Sequence, residues 1–316
     1  MNGSAKKRML VIVNPYATTV SDRLKNLVIY ALQGRFEVEV EATDSKDHAT
    51  EIGRDAIDGG YDIVVAFGGD GTVNEVVNGL AGTGIPVTFL PGGNTNVVCR
   101  TLGIPNDVVD ATEHLLSLAD DFRPRKVDLG MINDRYFVFS CGAGIDATVV
   151  EKVDANPRLK RRAGPYFYSW HAASGYLRQY MRNPVRLEAT VDGEVHEGVT
   201  ALTQNSDPFT YFGKQPIHVC ENVEFDDGTL GMVLLKRANQ LDVVSIIPRL
   251  LSNRLSAAKH NQVETFEHLK EATIRSLSTD DDGEIRQFPV QVDGDYIGNF
   301  EEIVLKAAPG ALTIIA

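Results

Sequence analysis

Residues 61–80 read YDIVVAFGGDGTVNEVVNGL. An apolar run, Ile63 to Phe67, ends in Gly68-Gly69-Asp70-Gly71-Thr72, and a helical pattern follows with Asn74 and Glu75 in its first turn. This is strand, glycine turn, helix. Glycines let a backbone approach phosphate oxygens because no Cβ intervenes. The N–H groups at a helix N-terminus then attract the phosphate charge. Asp70 would repel phosphates unless a Mg²⁺ lies between, or unless it holds a nucleotide hydroxyl. The plainer reading is a turn that closes a buried strand, which Gly-Gly and Asp-Gly pairs also do.

Upstream and downstream of this stretch, short apolar runs alternate with helical segments, the pattern of a parallel sheet. Met9–Val13, Phe36–Ala42, Ile63–Phe67 and Val87–Leu90 read as strands; residues 21–33 and 47–58 read as helices. Doubly wound sheets bind ligands beyond the carboxyl ends of their strands. Asn14-Pro15, Thr43, Gly68–Thr72 and Pro91–Asn96 all fall there. After Lys126 the texture changes to short strand-like runs: Tyr136–Ser140, Val185–Val191, Val195–Thr203, Leu230–Lys236, Glu271–Ser278, Phe288–Val292, Glu301–Lys306 and Leu312–Ile315. Asp192-Gly193 reads as a hairpin turn between two of them. Helical stretches near 165–181 and 241–258 interrupt the series. The expected architecture is an N-terminal doubly wound, Rossmann-like α/β nucleotide domain over 1–126 and an antiparallel β-sandwich domain over 127–316.

Composition narrows the function. The chain has 316 residues and a formal net charge of −12, the wrong sign for a general nucleic-acid binder. It contains no apolar run of about 18 residues, as a membrane-spanning helix requires. The apolar run before Asn14-Pro15 is too short for a signal peptide and reads as a first strand. Cys99, Cys141 and Cys220 lie far apart, without CxxC or HExxH spacing, which argues against zinc and redox roles and suits a reducing cytoplasm.

GGDGT followed directly by NEVVNGL resembles the diacylglycerol kinase catalytic domain, shared by diacylglycerol, sphingosine and related bacterial lipid kinases. Other segments match the family in order. Asn14-Pro15 stands where the family has a phosphate-touching loop, with Thr18 and Thr19 hydroxyls in place of glycine. The resemblance makes Thr43 a nucleotide contact, with His48-Ala49 following; by itself the segment reads as a helix cap. Pro91-Gly92-Gly93-Asn94-Thr95-Asn96 resembles the family loop Pro-x-Gly-Thr-x-Asn-Asp: Gly93, Asn96 and Arg100 match, Asn94 replaces Thr, and Val97 replaces a carboxylate implied to organise Mg²⁺. Sphingosine-kinase-like members also lack that Asp. Asp70 and Asp128, the latter in a family-like Val-Asp-Leu-Gly segment, are left to hold the metal.

In the second half, Gly142–Asp146 resembles a small-residue stretch near the family's lipid-facing cleft. Lys160-Arg161-Arg162 beside Tyr166, Phe167, Tyr168 and Trp170 reads equally as a membrane-surface contact or as a solvated charge run next to a core helix. Glu224, Asp227 and the carbonyl of Thr229 match a family loop for a structural Mg²⁺; the competing reading is an Asp-Gly turn among surface acids. Val292-Asp293-Gly294-Asp295 stands where the family has Asp-Gly-Glu. A lipid hydroxyl needs a group to take its proton as the phosphoryl transfers; Asp293 is the first candidate and Asp295, shorter than Glu, the second. Val191-Asp192-Gly193-Glu194 carries the same text as a decoy.

The resemblance implies an ATP- and Mg²⁺-dependent lipid kinase acting from the cytoplasm at the membrane surface, with the active site between two domains and a homodimer as one assembly it allows. Two rivals stay open. An NAD kinase also uses GGDG, but its Thr-Gly-Ser-Thr-like loop is not found. A nucleotide- or lipid-binding regulator without catalysis would draw on Val97 and Asp295.

Overall fold

The computed structural model describes residues 6–17, 20–119, 122–144, 183–237, 239–250 and 256–316. Thr18, Thr19, Ile145, Asp146, the basic knot at 160–162, the aromatics at 166–170 and the expected helix near 165–181 lie outside the described residues. The chain divides into two compact units, Met1–Asp128 with Gly310–Ala316, and Leu129–Pro309. The sequence division at 126/127 gives the C-terminal residues to the second unit; in the structure the last seven return to the first.

In the first unit, strands β1 (Arg8–Val13), β2 (Glu37–Ala42), β3 (Ile63–Gly68) and β4 (Val87–Pro91) lie parallel in the order β2-β1-β3-β4. The end of β18 (Glu302–Ile314) adds parallel beside β4, Ile314 opposite Val87. Helices α1 (Asp22–Gln33), α2 (His48–Gly59), α3 (Asp70–Leu80), α4 (Val97–Thr101) and α5 (Val108–Leu118) connect the strands. β3 is buried along its whole length, which explains its unbroken apolar text. α1 begins at Ser21, whose hydroxyl accepts from Leu24 N–H, and buries Lys25, Val28 and Leu32. The chain leaves β1 for β2 on one side and returns to β3 on the other. The order therefore reverses between β1 and β3, the switch point where open α/β sheets bind ligands.

The second unit is antiparallel. One six-stranded sheet runs β14 (Val263–Leu269), β13 (Leu230–Leu235), β10 (Thr200–Gln204), β7 (Ser140–Gly144), β16 (Phe288–Val292), β17 (Asp295–Phe300). Facing strands include β8 (Leu187–Val191), β9 (Glu194–Gly198), β15 (Glu271–Ser276) and the first part of β18. The core between them holds Phe137, Leu187, Met232, Leu234, Ile274, Phe288, Val290 and Ile303. β5 (Arg125–Ile132) and β6 (Arg135–Phe137) form a hairpin, as do β11 (Thr210–Phe212) and β12 (Gln215–Ile217); helix α6 (Gln240–Leu250) follows β13.

Three strand readings change, each for a local reason. Tyr136–Ser140 is not one strand, because the N–H groups of Val138, Phe139 and Ser140 all go to the Asp293 carboxylate instead of a ladder. Val195–Thr203 is two strands in different sheets. At the corner, a Cβ on Gly198 would lie 2.7 Å from Leu234 Cδ1. Conversely, Glu301–Lys306 and Leu312–Ile315 are one strand, β18. Pro309 has no N–H to place, and Gly310 N–H goes to Asp128 Oδ1 at 2.7 Å.

Candidate active site

At the switch point the loop after β1 meets the glycine turn after β3. Asn14 N–H donates to Phe67 O (3.0 Å), its Nδ2 donates to Thr72 Oγ1 (3.1 Å), and its Oδ1 accepts from Tyr16 N–H (2.9 Å). Pro15 sits within this braced turn. The two glycine pairs lie backbone on backbone: Gly92 N–H donates to Gly68 O at 2.8 Å, and a Cβ on Gly93 would stand 2.8 Å from Gly69 Cα. Any side chain at Gly93 would fill this cradle. α3 opens directly from it. Gly69 caps that helix without a side-chain acceptor, so the first-turn N–H groups, with Gly71 among them, are not claimed by a capping side chain. An anion fits this donor set.

Asp70 heads α3 and is half-buried. Its charge reaches Cys99 in α4: burial pushes that thiol up, and Asp70 pushes it further. Thr43 is buried at the end of β2, with its N–H on Val13 O (2.9 Å). Asn94 is exposed, and Asn96, buried, braces its own loop by accepting from Gly93 N–H (2.9 Å) and donating to Gly93 O and Asn106 Oδ1 (2.8 Å each). Asn74 is buried and accepts from Asn78 Nδ2 (3.2 Å). Glu75 turns away from the cradle: its Oε2 accepts from Ala49 N–H (3.1 Å) at the start of α2. That helix lacks a cap of its own, since Asp47 has φ 65° and makes no side-chain cap. Val97, at the place of the family's carboxylate, is buried at the head of α4.

Asp128 is buried in β5, its Oδ1 accepting from Gly310 N–H (2.7 Å), while in the second unit strand directions gather Glu224, Asp227, Thr229, Asp293 and Asp295 at one end of the six-stranded sheet. β16 ends there and β7 begins, with Asp293 N–H on Ser140 O (2.8 Å). β10 ends there, Gln204 opposite Ser140, and β13 begins there just after Thr229, Gly231 opposite Gln204. Asp293 (φ 49°) and Gly294 (φ 86°) form the tight turn into β17, as Asp192 (φ 50°) and Gly193 (φ 84°) do between β8 and β9. Only the first turn is buried at its aspartate. Asp293 is 4% exposed; its Oδ2 accepts from Val138 N–H (2.7 Å) and its Oδ1 from Phe139 and Ser140 N–H (2.9 and 3.0 Å). Both oxygens of the Asp293 carboxylate are thus occupied by backbone donors. Asp295, two residues on, is partly exposed.

The Asp227 loop closes on itself. Oδ2 accepts from Glu224 N–H (3.0 Å), and Oδ1 accepts from Thr229 N–H (2.7 Å) and Oγ1 (2.8 Å). It shares the sheet end with Asp293 but lies three strand spacings away, about 14 Å, so no single ion spans the two. Among the described residues no three His, Cys, Asp or Glu side chains stand close enough to hold a metal. The Mg²⁺ reading of this loop calls on two side chains, Glu224 and Asp227, and the Thr229 carbonyl, and in the structure the same Asp227 carboxylate also closes the turn.

The Diacylglycerol kinase catalytic domain family matches residues 8–132, and the YegS C-terminal NAD kinase beta sandwich-like domain matches residues 140–316. The chain belongs to the diacylglycerol kinase family. It is a lipid kinase. It is 29% identical over 299 residues to diacylglycerol kinases of Staphylococcus carnosus strain TM300 and of a bovine Staphylococcus aureus strain, covering 93% of this chain and 90% and 87% of theirs. A solved structure of a putative diacylglycerol kinase from Bacillus anthracis strain Sterne has the same fold, with a TM-score of 0.73 at 24% identity over 100% of this chain and 97% of that one.

In this lipid kinase the residues that shape the second unit's sheet end were not legible as site residues. Ser140, Val138 and Phe139 act through backbone N–H groups, which any sequence supplies. Asn205, buried, donates from Nδ2 to Val138 O (2.9 Å) and so holds the other side of the segment that binds Asp293. An Asn in NSDP carries no local signal for that contact.

Proposed function

We propose that this protein is an ATP-dependent lipid kinase that transfers the γ-phosphoryl group to the hydroxyl of a lipid such as diacylglycerol or a sphingoid base. The observation that carries the nucleotide half is the glycine cradle: Gly68-Gly69 packed on Gly92-Gly93 at the β1/β3 switch point, with the start of α3 opening beside it. Asn14, Pro15, Thr43, Gly71, Thr72, Asn94 and Asn96 surround the nucleotide in this reading, and the family resemblance adds Thr18. Asn14, Thr72 and Asn96 fix the loops, and Asn74 and Glu75 hold the helices behind them. Asp70 and Asp128 are the oxygen ligands suited to Mg²⁺, which when bound neutralises phosphate charge.

For the acceptor half, Asp295 takes the proton of the lipid hydroxyl. Asp293 fixes the turn that presents it, because both Asp293 oxygens are already engaged by backbone donors. This reverses the order of preference that the sequence suggests. The lipid acceptor resides in a bilayer and ATP in the cytoplasm, so the enzyme visits the membrane from the cytoplasmic side; among the described residues no helix is long and apolar enough to cross it. The names of the staphylococcal relatives favour diacylglycerol as the acceptor.

The test is transfer of labelled γ-phosphate from MgATP to diacylglycerol, monoacylglycerol, a sphingoid base and undecaprenol in mixed micelles, with NAD as a soluble acceptor. Label on a lipid supports the proposal and names the lipid. Label on NAD alone, or ATP binding without transfer to any acceptor, overturns it.

A further inference from the structure

Lys25 occupies a place where the fold calls for an apolar side chain. It lies on the inward stripe of α1 with Val28 and Leu32, at the i, i+3, i+7 spacing of a core face. Its side chain is only 8% exposed. Burying an ammonium is costly unless its donors are used. Here Nζ donates to the carbonyl of Pro15 at 2.8 Å and stands 3.5 Å from Asp22 Oδ1, a carboxylate that is itself 92% exposed and screened by solvent. The positive charge is thus held inside, and its nearest tether is the loop between β1 and α1.

That loop is part of the cradle. Asn14 ties it to Thr72 at the start of α3, and a Cβ on Gly92 would stand 3.2 Å from Ala17 Cβ. Lys25 therefore braces from behind the loop whose front lies against the glycine turns. An ammonium there fixes the Pro15 carbonyl and adds positive potential where a polyphosphate would dock.

We infer that Lys25 is a positioning residue for the nucleotide phosphates, acting through the Pro15 carbonyl and through its buried charge. The inference rests on the reading of this cradle as the ATP site. It gives the buried lysine a role that a leucine, better suited to the stripe, would not fill.

The experiment compares the wild type, Lys25→Met and Lys25→Arg. MgATP affinity is measured by calorimetry, and KM for ATP and for diacylglycerol in mixed micelles by transfer kinetics. Lys25→Met keeps the apolar stem and removes the charge. It is expected to raise the ATP Kd and KM about tenfold or more, the scale of one hydrogen bond to a charged group, and to leave KM for diacylglycerol within about twofold. Lys25→Arg is expected to recover most of the ATP affinity. Unchanged ATP binding in Lys25→Met, or an equal rise in both KM values, overturns the inference while leaving the ATP site standing. A wild type that binds no ATP overturns the cradle reading and the inference with it.

Discussion

Asp192 and Asp293 each open a tight Asp-Gly hairpin, yet only Asp293 is buried against backbone donors. Asp293→Asn places an amide N–H₂ against at least one of the three N–H groups. A buried donor left facing a donor costs about 1–3 kcal/mol, so thermal unfolding should show a clear drop in midpoint. Asp192→Asn, at an exposed turn that tolerates Asn at positive φ, should change neither the melting midpoint nor activity. The sequence around the two turns is nearly the same text. What separates them is Val138–Ser140, some 150 residues before Asp293 in the chain. A contact that distant leaves no periodicity or spacing to read. The same holds for Glu75, which the sequence reads as a site residue beside the glycine turn but whose carboxylate caps α2.

Among the elements, the first unit was legible from β1 to β4, where strands and helices carry their own periods; α4, little more than one turn long, and α5 were not read. Buried β3 reads as an apolar run, α1 begins at a Ser cap, and the glycine turn marks the switch. In the second unit, β14 reads Val-Glu-Thr-Phe-Glu-His-Leu, mostly half-exposed, and β17 starts inside a turn; neither shows a local strand signal, and sheet pairing alone makes them strands. Two outcomes belong to this scale. Gly93→Ala sets a methyl 2.8 Å from Gly69 Cα and should weaken ATP binding by more than about tenfold, read by calorimetry, by filling the cradle. Glu75→Ala removes the only side-chain cap described for α2 and should cost about 1 kcal/mol of stability in a denaturant titration, with KM for ATP little changed.

Over the whole molecule, all three thiols are buried. Burial pushes Cys220 from its ordinary value near 9 up to about 12, and pushes Cys99 up as well. The folded state holds these protons where the unfolded state releases them. Stability is therefore undiminished below about pH 9 and falls as pH rises from there toward 12, by about 1.4 kcal/mol per pH unit for each such thiol. Urea midpoints at pH 8 and pH 10.5 should show the decline. In the proposed mechanism the parallel unit offers backbone N–H groups and the Asp70 and Asp128 carboxylates, and the antiparallel unit offers Asp293 and Asp295 at one sheet end. Which acid takes the proton is the claim on which the account of catalysis turns. The most direct measurement is the rate of labelled γ-phosphate transfer to diacylglycerol by Asp295→Asn beside the wild type, at saturating MgATP. The account expects a loss of about 10²–10⁴-fold with ATP affinity and melting midpoint unchanged. Wild-type transfer by Asp295→Asn would contradict it.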